Sequence, residues 1–195
     1  MKNTLTSHKM INLEQIETKS IADGIPYVRK QTLALLIDLI KNNNIKSILE
    51  IGTGYGYSAL GMSCCSTVNK IVTIEKNTDN YLIAKEFLKN TLIQCINTDA
   101  FVYEPQQQFD LIFIDGPKSH QEQLVEKYVK YLSKNGLIII DNIYLKKFTQ
   151  KTSLTKNQAS LVKKIKQFHQ WLISHKTFDV KIYDVDDGIA IVKTK

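Results

Sequence analysis

No stretch of the sequence approaches the ~18 consecutive apolar residues that a membrane-spanning helix needs. The first residues, Met1 to His8, lack the apolar run of a secretory leader. A cytoplasmic location and no membrane partner are therefore expected. The three cysteines, Cys64, Cys65 and Cys95, are odd in number and show no C-x-x-C spacing, which argues against a disulfide framework and against zinc. Internal repeats, low-complexity linkers and a composition break that would mark a domain boundary are also missing. At 195 residues the chain can bury one large core. The expected organisation is a single domain over 1–195, with N-terminal helices in 1–45 and the core in 46–195.

Arginine is scarce, and so, over one long stretch, is acid. Arg29 stands alone beside 25 lysines, and the formal net charge is +7. Codon bias toward lysine accounts for the amount of charge but not for its placement. Between Asp141 and Asp179 there is no Asp or Glu, while Lys146, Lys147, Lys151, Lys156, Lys163, Lys164, Lys166 and Lys176 all fall there. Without those eight lysines the chain is close to neutral, so its basicity is local. A patch without acids suits a phosphate backbone; the solvated face of an amphipathic helix would also place Lys163, Lys164 and Lys166 together.

What the sequence does have is alternation. Apolar runs at Lys46–Ile51, Lys70–Glu75, Ile93–Asn97, Phe109–Asp115 and Leu137–Asp141 alternate with helical patterns, the mark of a mostly parallel sheet flanked by helices. Val180–Tyr183 and Ile189–Val192, separated by Asp184-Val185-Asp186-Asp187-Gly188, predict a terminal antiparallel hairpin. Helices are predicted over Asn12–Thr18, from Pro26 through Lys41, over Tyr55–Cys64, Thr78–Asn90 and His120–Leu132, and over Thr155–Ser174. The last of these carries an apolar stripe of Leu161, Ile165, Phe168 and Leu172.

The first strand runs into Glu50-Ile51-Gly52-Thr53-Gly54-Tyr55-Gly56. Glycines let the backbone approach a ligand, and the following helix start offers unpaired N–H groups. Dinucleotide enzymes use such turns too, but the spacing here is GxGxG rather than GxGxxG. Glu50 suits a ligand with an ammonium group, as S-adenosylmethionine has, and would repel a pyrophosphate. Glu75, ending the second strand, can grip ribose hydroxyls. Asp99 and Ala100 follow the third strand, where an adenine edge would lie; Asp99 could equally cap a turn. Two further strand ends carry Asp115 and Asp141-Asn142. Two carboxylates and an amide oxygen suit a hard divalent cation, most simply Mg²⁺. Lys118, on the same loop as Asp115, is a candidate base.

As a set, ILEIGTGYGYSAL (48–60), IVTIEKN (71–77), NTDA (97–100), FDLIFIDGPK (109–118), GLIIIDN (136–142) and DGIAIVK (187–193) resemble the cation-dependent O-methyltransferases that include catechol and caffeoyl-CoA methyltransferases. The resemblance implies a Rossmann-like class I methyltransferase fold with a seven-stranded, mostly parallel sheet. It implies that Gly52 and Ser58 hold the methionine part of S-adenosylmethionine, Glu75 the ribose, and Asp99 and Ala100 the adenine, with Glu50 and Gly54 also in the cofactor site. Val28 would belong to a lid over the donor. Asp115, Asp141 and Asn142 match the metal ligands, Asp115 also borders the donor, and Lys118 matches the proposed base. Gly116-Pro117 departs from the family pattern between the last two.

The stretch 161–195 is similar to the bacterial branch that methylates 5-hydroxyuridine at the tRNA wobble position, yielding 5-methoxyuridine. That similarity implies an anticodon-loop substrate, with Lys146, Lys147, Lys163 and Lys164 on its phosphates. Competing readings are a small-molecule catechol-type O-methyltransferase, an NAD-binding oxidoreductase and a non-catalytic RNA-binding module. A homodimer is left open.

Overall fold

The computed structural model describes residues 2–144, 146–149 and 153–195, with side chains described from Leu13 onward except those of Lys147 and Thr149. The chain divides into two compact units, residues 1–104 and 105–195. The glycine turn belongs to the first and both strand-end acid motifs to the second.

In the first unit, helices α1 (Lys2–Asp23) and α2 (Lys30–Asn42) precede three parallel strands, β1 (Ser47–Ile51), β2 (Lys70–Glu75) and β3 (Ile93–Asn97). Helix α3 (Tyr57–Met62) follows β1, and α4 (Thr78–Phe87) follows β2. Strand β2 lies between the other two, with Glu50 opposite Thr73 and Thr73 opposite Cys95. Ile48, Leu49, Ile71, Val72 and Ile74 are buried, as expected of strands covered on both faces.

Two N-terminal expectations are revised. The helix predicted over Asn12–Thr18 is part of the longer α1, which ends at Gly24 (φ 68) with the Ile25 amide on the Ser20 carbonyl. The helix predicted from Pro26 starts only at Lys30. Residues 25–29 are not helical because tertiary packing overrides the proline signal: Tyr27 packs edge-on against Tyr57, and Val28 is buried.

In the second unit, β4 (Phe109–Ile114) and β5 (Leu132–Asp141) run parallel on either side of helix α5 (Gln121–Tyr128) in sequence. After α6 (Lys146–Thr149) and α7 (Lys156–Ser174) come β6 (Phe178–Tyr183) and β7 (Ile189–Thr194). Strand β7 sits between β5 and β6 and is antiparallel to both, so the predicted hairpin is present. Strand β5 starts earlier than its apolar run, with a register shift between Phe109 and Leu111 and a left-handed Asn135. A capping box between Thr155 and Gln158 fixes the start of α7. Its buried stripe is Val162, Ile165, Phe168 and Leu172, one position away from the predicted start at Leu161.

The expected fold class, Rossmann-like α/β with a seven-stranded, mostly parallel sheet ending in an antiparallel hairpin and flanked by helices, is the one observed. Among the described residues, no helix is long and apolar enough to cross a membrane.

The hairpin turn is tied to the loop after β5. The Ile143 amide donates to the Gly188 carbonyl at 3.1 Å, and the Tyr144 amide donates to the Asp187 carbonyl at 3.0 Å. Gly188 has φ +85°, and a Cβ there would lie 2.4 Å from Tyr144 Cδ2. Gly188→Ala should lower the unfolding free energy by about 2–4 kcal/mol, combining the left-handed backbone cost with overpacking. Urea denaturation of Gly188→Ala alone and together with Tyr144→Ala checks this: the second change should restore the packing part and leave the backbone part.

Candidate active site

Glu50 is fully buried beneath the glycine turn. A buried carboxylate must be satisfied by hydrogen bonds, and Glu50 is: Ser58 Oγ donates to its Oε1 and Thr73 Oγ1 to its Oε2, each at 2.5 Å. Thr53 extends the chain, its hydroxyl 2.6 Å from that of Thr73. Glu50 therefore acts on the turn through Ser58, whose hydroxyl it orients, rather than by facing a ligand in the open. Thr53 and Thr73 are not among the residues that the sequence motifs single out. Their signal is a hydroxyl placed inside or beside an otherwise apolar buried strand. Burial, more than the charges of Glu50 and Glu75, pushes the Cys95 thiol on the neighbouring strand up to about 11, so this cysteine stays an inert thiol.

Gly52, Gly54 and Gly56 all have positive φ, at 100°, 54° and 93°, which bends the turn sharply and carries it into α3. The Gly54 amide donates to Glu75 Oε2 at 2.9 Å, and the Asn77 amide to Glu75 Oε1 at 2.8 Å. Glu75 is thus fixed against the turn with lone pairs left for a ligand's hydroxyls.

The N-terminal segment closes on the same turn. A Cβ on Gly54 would sit 3.4 Å from the Pro26 carbonyl oxygen. Tyr55 donates to Asp23 Oδ2 at 2.7 Å, and Tyr27 donates to Glu17 Oε1 at 3.2 Å. Hydrogen bonds from Lys19 and then Tyr55 hold the Asp23 carboxyl below its ordinary range. Asp99 does cap a turn, accepting from the Phe101 amide at 2.8 Å, and it also pairs with Lys76 at 2.8 Å. Ala100 beside it is buried.

In the second unit, parallel pairing of Ile114 with Ile140 brings the following residues, Asp115 and Asp141, to neighbouring strand ends. Lys118 reaches back across Gly116-Pro117 to Asp115 Oδ1 at 2.5 Å, so the departure from the family pattern does not prevent that contact. Asp141 is buried, and Gln121 Nε2 holds its carbonyl at 2.8 Å. The amide of Asn142, left-handed at φ 59°, donates to Asp141 Oδ1 at 2.7 Å. Burial first, and then the negative charge of Asp115, push the Asp141 carboxyl up to about 7. His120, whose ring contacts Ser119, lies in the short helical turn before α5.

The basic segment is less uniform than its sequence suggests. Lys146 Nζ pairs with Asp184 at 2.5 Å, and its amide donates to Asp187. Lys163, Lys164 and Lys166 are exposed on α7. The Lys147 side chain and Lys151 lie outside the described residues.

A protein-family model described as O-methyltransferase matches residues 6–195. A Thermoplasma volcanium protein assigned as a cobalt-precorrin-6B C(15)-methyltransferase is 32% identical over 131 residues, which is 64% of this chain and 64% of that protein; the chain thus spans just under two thirds of this relative. Caffeoyl-CoA O-methyltransferase of Populus kitakamiensis is 24% identical over 87% of this chain and 77% of its own length. A Staphylococcus aureus structure assigned as a caffeoyl-CoA O-methyltransferase superposes with a TM-score of 0.87 at 29% identity, covering 100% of this chain and 98% of that one.

The raised Asp141 carboxyl has a measurable consequence. The folded protein holds that proton to about pH 7, whereas the unfolded chain releases it near 3.8. Between those values the folded state binds more protons, so stability falls as pH rises, by at most about 1.4 kcal/mol per pH unit. Asp141→Asn should flatten that slope. Urea midpoints of both proteins from pH 4 to 8 in cation-free buffer provide the check, and parallel profiles would show that Asp141 ionises normally.

Proposed function

The chain belongs to the O-methyltransferase family and is an S-adenosylmethionine-dependent enzyme; from that premise we propose that its acceptor is a small aromatic molecule with two neighbouring oxygens, one of which receives the methyl group. The observation that supports this most is the pair of strand-end carboxylates, Asp115 and Asp141, with Asn142 beside them. The Populus relative supports it too, since the O-methyl acceptor in its name, caffeoyl-CoA, is a small organic molecule.

The donor set fits a divalent cation such as Mg²⁺. Asp141 is driven toward its neutral form by burial and by Asp115, a strain that a cation would relieve. Among the described residues no group of three or more His, Cys, Asp or Glu is placed to hold a metal. The proposed ligands are therefore two carboxylates and one amide oxygen, a number that leaves positions for the acceptor. A bound cation would supply Lewis acidity and chelate the two acceptor oxygens.

The remaining work falls to this chain's side chains. Ser58, oriented by Glu50, and Glu75 hold the donor, with Asp99 and Ala100 at its adenine end and Val28 in the covering segment. The acceptor hydroxyl gives up its proton to water, and attack by the resulting oxyanion forms the O–CH₃ bond as the S–CH₃ bond breaks, leaving S-adenosylhomocysteine. Lys118, paired with Asp115, favours balancing the charge that develops on that oxygen over acting as the base.

One observation favours a second reading. Lys163 and Lys164 are exposed within the acid-free stretch. 5-Hydroxyuridine at the tRNA wobble position also presents two neighbouring oxygens, a C5 hydroxyl beside the C4 carbonyl, and would take the same chemistry to 5-methoxyuridine. The purified chain should methylate a catechol, and a chelator or Asp141→Ala should lower kcat/KM on the order of 10³-fold. The paired Lys163→Glu and Lys164→Glu changes should leave that turnover intact. Methylation of tRNA alone, lost in the paired variant and increasingly so with added salt, would replace the small acceptor by RNA.

A further inference from the structure

Strand β2 is apolar where it is buried, except at Thr73: Ile71, Val72 and Ile74 flank a threonine that is itself 0% exposed. A valine has the same shape and the same preference for strands, so packing alone does not call for the hydroxyl. Parallel register sets Thr73 opposite Glu50 on β1. Its Oγ1 lies within hydrogen-bond distance of two groups, Glu50 Oε2 at 2.5 Å and Thr53 Oγ1 at 2.6 Å.

The direction of each bond follows from counting protons. A hydroxyl carries one, and Thr73 gives its own to Glu50. In the contact with Thr53 it must therefore accept, so Thr53 is the donor. Ser58 gives its proton to Glu50 Oε1 in the same way. The hydroxyls thus form an ordered chain from Thr53 in the glycine turn, through Thr73 in the sheet, to the carboxylate, with Ser58 on the carboxylate's other oxygen. A buried carboxylate that lost the Thr73 proton would have to take up one of its own or turn toward another donor. Either change alters the bond that orients Ser58.

We propose that Thr73, buried out of reach of any ligand, is a positioning residue for the methyl donor. Backed by Thr53, it holds Glu50 in the one arrangement that presents the Ser58 hydroxyl to the methionine end of S-adenosylmethionine. Ser58 must contact that end of the donor, as proposed above, for Thr73 to act in this way.

Isothermal titration of the full chain with S-adenosylhomocysteine tests this, with far-ultraviolet circular dichroism confirming that each variant is folded. Thr73→Val keeps the shape and removes the hydroxyl, and it should raise the dissociation constant by about tenfold. Thr73→Ser, which retains a hydroxyl, should bind within about twofold of the wild type. Ser58→Ala should itself weaken binding, and adding Thr73→Val to it should cause no further loss, because Thr73 acts through Ser58. A general loosening of the sheet would instead lower affinity in both backgrounds, and that result would overturn the proposal. So would wild-type affinity in Thr73→Val, or a loss in Thr73→Ser equal to that in Thr73→Val. Should Thr73→Val not fold, Thr53→Val keeps both donors on Glu50 and carries the same comparison, with an expected rise of about threefold that Ser58→Ala abolishes; wild-type affinity in Thr53→Val would then overturn the proposal. An unchanged affinity in Ser58→Ala would overturn the assignment of Ser58 and the positioning role with it. A loss in Ser58→Ala without one in Thr73→Val would overturn the positioning role alone.

Discussion

Much of the first unit is organised around one buried carboxylate. Glu50 sits inside the unit with a hydroxyl on each oxygen, one from the adjacent strand and one from the helix that follows the turn. An acid in such a place is tolerated only when its hydrogen bonds are complete. That requirement ties three elements to one point: the end of β1, the middle of β2 and the first turn of α3. The glycine turn is held in shape from below by this network and from the side by Glu75, which accepts the Gly54 amide.

The second unit solves the opposite problem. Asp115 and Asp141 are brought together by strand register, and proximity of like charges is unfavourable without a counter-charge. Lys118 balances Asp115, while burial and the charge of Asp115 push the Asp141 carboxyl up to about 7. In Glu50 a buried acid is fully satisfied and serves architecture. In Asp141 a buried acid lies beside a second negative charge, which marks it as the candidate site rather than the scaffold.

The strand ends are legible in the sequence because apolar runs stop at charged residues, and those residues are the ones proposed to hold ligands. Glu75, Asp115 and Asp141 are placed for that reason, and Gly52 by the glycine spacing that follows β1. What could not be read depended on contacts between distant residues. Glu50 looked available to a ligand because its hydroxyl partners lie 8 and 23 positions away. Lys146 looked like part of a free basic patch, yet its counter-ion is 38 positions along the chain. Pro26 suggested a helix start, but the packing of Tyr27 on Tyr57 postpones it. The α7 stripe is legible at Ile165, Phe168 and Leu172, and differs only at its first member, where Val162 is buried in place of the equally apolar Leu161.

The tie between the β6–β7 turn and the loop after β5 bears on how the chain can be shortened. Trimming from the C-terminus would remove, with Gly188, the carbonyl that receives the Ile143 amide; cuts that reach Asp187 would also take the groups that hold Tyr144 and Lys146. A terminal segment that looks like a peripheral flap is therefore a brace for Asn142. The brace extends to Lys195, whose amide donates to the Thr177 carbonyl at 2.9 Å, so a deletion that enters the hairpin loosens the loop that carries Asn142.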